Sequence, residues 1–142
     1  MTFNYPEDFY KKVEWFVKTP MSQEDARLII RTLSSKRYAN TLRGNANLYA
    51  DVVFKFLRYN REKDEWYKNY GGGWVPSKGE EVKAHDAVFE ALFSLTPLLC
   101  ALSQCDFCHE LQARLDFWAK DDGRDTILEK AARVWPLPRK EG

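Results

Sequence analysis

The chain has little of what most active sites are built from. Two histidines, three cysteines and two methionines are all that 142 residues supply. No glycine-rich phosphate loop followed by Lys-Ser/Thr, no G-x-S-x-G elbow and no H-E-x-x-H helix occurs. P-loop nucleotide chemistry, the hydrolase nucleophile elbow and zincin-type hydrolysis are thereby excluded. No window approaches the roughly 18 apolar residues of a membrane span. The start, Met1-Thr2-Phe3-Asn4-Tyr5-Pro6-Glu7-Asp8, lacks the basic and apolar regions of a secretory signal. The expectation is a cytoplasmic protein with no membrane contact. An odd number of cysteines in a reducing compartment implies free thiols and no disulfide framework.

One stretch spells a chemical motif, Cys105-Asp106-Phe107-Cys108-His109. C-x-x-C-H is the attachment pattern of c-type haem, and C-x-x-C alone is a redox or zinc signal. Haem would need a second axial ligand, and the remaining candidates are His85 and Met21. Zinc would gain Cys105, Cys108 and His109 from one helical face, with His85 or Cys100 as a fourth ligand, but no second C-x-x-C knuckle is present. A redox site would want a preceding strand, and Asp106 opposes thiolate formation at Cys105. The reading adopted is a buried helix whose cysteines pack as small hydrophobes beside Leu98, Leu99, Leu102, Phe107 and Leu111, with no metal and no cofactor. A small zinc or redox protein built on Cys105, Cys108 and His109 stands third among the functional readings. His85 and Asp86 are adjacent on a helix and point apart, so they form no ready-made dyad. Asp121-Asp122 and Glu80-Glu81 read as solvated helix ends. The chain is therefore not expected to be an enzyme.

What the chain does have is aromatic side chains and a skewed charge. Five Trp, seven Tyr and nine Phe make 15% of the residues, within 44% hydrophobic and 30% charged. A single domain of this length buries a core without staples. Net charge is +1, yet residues 1–70 hold 13 Lys and Arg against 9 acids, and residues 71–142 hold 9 against 12. Within 26–61 stand Arg27, Arg31, Lys36, Arg37, Arg43, Lys55, Arg58 and Arg61, with Asp51 the one acid. Such a field draws anionic partners.

Hydrophobic spacing reads helical almost throughout. Phe9, Val13, Phe16 and Val17 follow Pro6. Ala26, Ile29, Ile30 and Leu33 follow a Ser22 cap. A short basic piece from Lys36 to Arg43 ends at Gly44 as a C′ residue. Residues 46–60 give the widest stripe, Leu48, Tyr49, Val52, Val53, Phe56 and Leu57. Val82, His85, Phe89, Leu92 and Phe93 precede Thr96-Pro97, which marks a kink or a new start. Leu98 to Trp118 and Ile127 to Val134 complete the set, and the tail after Pro136 is expected to be loose. Residues 61–79, with Gly71-Gly72-Gly73, read as one long loop. The expectation is an all-α fold, a compact bundle of about six to seven helices with one long Gly/aromatic loop. It forms one domain, with a basic half 1–60, the loop 61–79 and an acidic half 80–142.

Function is expected to lie on the basic and aromatic surface. Arg, Trp and Tyr are the commonest hot-spot residues of protein interfaces. The candidate contact residues are Arg27, Arg31, Lys36, Arg37, Arg43, Lys55, Arg58, Trp66, Tyr67, Tyr70 and Trp74. The preferred reading is a non-enzymatic protein-binding module, whether adaptor, subunit or inhibitor, including an inhibitor of a nucleic-acid-handling enzyme. The alternative is direct DNA or RNA binding through the 26–61 face, where Arg would hold phosphates and aromatics would stack bases.

Overall fold

The computed structural model describes residues 28, 31–33, 35, 37–69, 71–103, 106–120 and 122–137, with the backbone alone at 94, 95, 97–103 and 106–108. The helix expected after Pro6 lies outside these residues, and of the next one Leu28 and residues 31–33 are described and helical.

Four further helices and three strands follow in the described residues: α1 (Leu42–Val53), β1 (Leu57–Asn60), β2 (Glu65–Lys68), β3 (Val75–Pro76), α2 (Glu80–Ser103), α3 (Asp106–Trp118) and α4 (Gly123–Ala131). The strands form an antiparallel meander in the order β1-β2-β3. The fold is mixed α and β, and the expected all-α bundle of six to seven helices is corrected accordingly.

The correction falls on residues 54–76. The helix read over 46–60 stops at Val53, and Leu57 to Asn60 pair with Lys68 to Glu65. The connecting loop is four residues long and ends in Asp64, whose φ of 54° is the left-handed conformation that closes such hairpins. Asn60 Oδ1 accepts from the Lys63 backbone N–H at 3.1 Å, holding the turn. Trp66 and Tyr67 are good strand residues, and they sit in mid-β2. The glycine triplet is the next turn. Gly71 and Gly73 take φ of 112° and 94°, and both donate backbone N–H groups to Asn69 Oδ1 at 3.0 and 3.3 Å. What reads as one loop in sequence is thus two turns with β2 between them and β3 after the second.

Thr41 caps α1, its hydroxyl accepting from Gly44 N–H at 3.0 Å. Gly44 is therefore not a C′ residue. It lies in the first turn of α1, where a Cβ would run into the Ala39 carbonyl. Leu48, Tyr49, Val52 and Val53 then face the core, as their spacing predicts. α1 packs most extensively on α4, and α2 on α3. The core cluster accordingly draws on both charge halves, with Leu33, Tyr49, Val53 and Leu57 against Val88, Leu92, Trp118 and Ile127. α2 runs unbroken through Thr96-Pro97, and the Thr96 hydroxyl donates to Leu92 O at 2.5 Å within it. No helix among the described residues is long and apolar enough to cross a membrane.

Candidate functional site

The site grows from a buried polar joint. Asn45, in the second half-turn of α1, is fully buried. Its Oδ1 accepts from Arg114 Nη1 at 2.7 Å and from Trp118 Nε1 at 2.8 Å, both on α3. Its Nδ2 donates to Thr41 O at 2.8 Å and Asn40 Oδ1 at 3.1 Å. Arg114 Nη2 donates to the backbone carbonyl of Tyr38 at 2.7 Å. Burial lowers the Arg114 pKa, with the Glu110 carboxylate acting the other way. These bonds fix the approach to α1 and so place Arg37 and Tyr38.

Six residues further along α1, Asp51 gathers three donors. Its Oδ2 accepts from Tyr38 OH at 2.5 Å and Arg37 Nη2 at 3.1 Å, and its Oδ1 accepts from Trp135 Nε1 at 2.6 Å. Burial, followed by the bond to Asp51, pushes the Tyr38 phenol up to about 12. Arg37 also lies 4.9 Å from the Tyr38 ring centroid. Trp135 comes from the segment after α4, just ahead of Pro136, beyond which the tail was expected to be loose. That segment folds back here, and Leu137 N–H donates to Tyr59 O at 2.9 Å.

Around this cluster runs a groove of about 390 Å³, lined by Leu28, Arg31, Arg37, Tyr38, Phe54 and Trp135 among others. Leu28 is 40% exposed and Trp135 48% exposed. They are two of the four large hydrophobics so exposed among the described residues, the others being Val75 and Phe93. The Phe54 ring lies 6.1 Å from Trp135, and the Arg58 guanidinium 5.6 Å from Phe54 and 5.9 Å from Trp74.

The residues expected to bind a partner divide into groups. Arg31 and Arg37 line the groove, Arg58 adjoins it through Phe54, and Trp74 lies against Arg58. Arg43, in the first turn of α1, and Lys55, just beyond its C-terminal end, are both exposed, with most of the length of α1 between them. Trp66 pairs with Tyr59 and faces the core, edge-on to Tyr49 at 6.1 Å and to Tyr59 at 5.9 Å. Tyr67, one residue on, belongs to the opposite face with Arg58, its strand partner. Arg27, Lys36 and Tyr70 lie outside the described residues. Tyr38, Asp51, Phe54 and Trp135 were not among the expected contacts. A Trp between a helix end and Pro136 was the available signal.

A second cleft of about 350 Å³ lies between the hairpin and α4, lined by Tyr59, Arg61, Asp64, Trp66, Glu129 and Arg133 among others. Two bases and two acids balance there, and Asp64 already accepts from the Tyr59 hydroxyl. Of the cysteine motif, Cys105 lies outside the described residues, Cys108 is described by backbone alone, and His109 is exposed on α3. No group of three metal-ligating side chains occurs among the described residues. His85 is 2% exposed, stacked on Trp118 at 4.6 Å, and neither ring nitrogen has a hydrogen-bond partner among the described residues. Burial, then the charge of Arg124, pushes its pKa down to about 4.

Comparison of the chain with family models, curated proteins and solved structures finds no match.

Proposed function

We propose that this chain is a non-enzymatic protein-binding module, an adaptor, subunit or inhibitor, that docks through the groove beside Trp135. The observation that carries the reading is the convergence of Leu28 and Trp135, half-exposed, with Arg31 and Arg37 on one concavity. Arg and Trp dominate interface hot spots, and apolar side chains left exposed together mark interaction sites. Trp135 is also pre-ordered, because its indole N–H is held by Asp51. A side chain already fixed in place loses little entropy on binding.

Direct nucleic-acid binding is supported less well. A strand of phosphates needs a continuous basic track. Arg43 and Lys55 are separated by the length of α1, and the groove itself contains the Asp51 carboxylate. The odd cysteine count, three, fits a reducing compartment, and a cytoplasmic setting is part of the proposal.

Affinity capture with the tagged chain from its native host tests the reading. One partner is expected in stoichiometric amount, and Trp135→Ala should weaken its retention about tenfold or more. Retention indifferent to Trp135→Ala and Arg37→Glu would remove the groove from the function. Recovery of nucleic acid that is released steeply by salt would favour the alternative.

A further inference from the structure

We propose that the groove receives an acidic segment of the partner, in which one bulky apolar side chain is flanked by carboxylates. The proposal rests on the protein-binding reading and names the chemistry that the groove selects.

The apolar requirement comes from Leu28, Phe54 and Trp135. Leu28 and Trp135 present large exposed carbon surfaces, and the Phe54 ring lies 6.1 Å from the indole. An inserted aliphatic or aromatic side chain would remove these surfaces from water together, at about 25 cal/mol per Å² of apolar area.

The acidic requirement comes from how the charges in the groove are used. Asp51 is the one acid among the lining residues, and its carboxylate accepts from Arg37, Tyr38 and Trp135. Arg37 engages Asp51 through Nη2, while its side chain is 73% exposed against 20% for Asp51. A guanidinium carries five donors in a planar fork, so its remaining edge can take a second carboxylate without releasing the first. Arg31 lines the same groove and Arg58 stands over Phe54, so bases outnumber the one acid among the described residues around it. A basic segment would meet repulsion here, and a neutral one would gain no charge-assisted bond from the Arg37 edge.

Panning a random peptide library against the immobilised full-length protein tests this directly. The expected consensus is an aliphatic or aromatic residue with Asp or Glu on either side. A synthetic peptide of that sequence should lose about tenfold or more in affinity against Trp135→Ala and against Arg37→Glu. Replacing its critical acid by Lys should restore binding to Arg37→Glu, a rescue that misfolding cannot produce. Leu28→Asp, at an exposed position, serves as the second apolar-site variant if Trp135→Ala loses its native circular dichroism. A basic consensus, no consensus, or affinity unmoved by these substitutions overturns the proposal. So does tighter binding of oligothymidylate at the same residues. If the native partner is still lost on Trp135→Ala while the peptides show no acidic signature, the docking reading stands and this inference falls.

Discussion

Asn45→Ala should be among the most damaging single substitutions in the described part of the chain. The side chain is fully buried and makes four polar contacts. Its removal strands two donors on α3. One is the charged Arg114 Nη1, whose lost bond is worth about 1.5–3 kcal/mol, and the other is the Trp118 indole N–H, at about 1–3 kcal/mol. The Asn40 amide is exposed and recovers its bond from water, and Thr41 O keeps its bond from the Asn45 backbone N–H at 2.9 Å. The expected cost is therefore about 3–5 kcal/mol, a large part of the roughly 5–15 kcal/mol available to a domain. Urea unfolding followed by far-UV circular dichroism measures it without relying on Trp118 fluorescence. The stronger test is a double-mutant cycle with Arg114→Met, which keeps the volume and removes the charge. Both single substitutions break the same 2.7 Å bond, so the double variant should fall short of their sum by about 1.5 kcal/mol or more. Additivity within about 0.5 kcal/mol would show that the Asn45–Arg114 bond does not hold the joint together.

The remaining predictions concern His85 and Gly44. His85 is neutral in the fold, with a pKa pushed down to about 4 from the ordinary 6.5, so the unfolded chain binds the extra proton between those values. Stability is therefore unaffected above about pH 7, falls as the pH drops, and levels out below about pH 4, with a loss of about 2 kcal/mol by pH 5. His85→Phe keeps a ring against Trp118 and should remove that part of the pH dependence in parallel urea titrations. An unchanged difference between pH 7 and pH 5 in the variant would contradict the burial. Gly44→Ala would normally favour a helix by about 1 kcal/mol. Here the new Cβ meets the Ala39 carbonyl, so the substitution should destabilise by about 1–3 kcal/mol, and a raised melting temperature would refute the close approach.

Hydrophobic spacing in this chain reports burial more faithfully than conformation. Phe56 and Leu57 extend the stripe of Leu48, Tyr49, Val52 and Val53 at helical intervals, and all six are buried. Yet α1 ends at Val53 and Leu57 opens a strand. A helix face and the start of a four-residue strand can present the same two side chains to one core, so periodicity alone cannot separate them. The separating information lay downstream, in Trp66-Tyr67 and in Asp64. A left-handed Asp and a pair of aromatics specify a hairpin only when the strand before them is already recognised. The glycine triplet carried a correct exclusion of helix, but its closeness to Asn69, which binds two of its N–H groups, is a property of the folded turn.

The same limit governs the groove. Arg31 and Arg37 stand out as bases in a basic stretch, and they do line it. Asp51 looks like the one acid of that stretch, and Trp135 like the last residue of a helix that Pro136 ends. They are 84 residues apart in sequence and 2.6 Å apart in space. α1 and α4 make the most extensive helix contact among the described residues, and that packing carries the residues after α4 across the end of α1. The Asp51 carboxylate then has a tryptophan to hold as well as an arginine. A basic segment without Asp51 would present Arg37 and Trp135 as two mobile surface groups. With it, charge and aromatic surface are fixed on one concavity, and an acid that seems to weaken the positive field is what turns that field into a site.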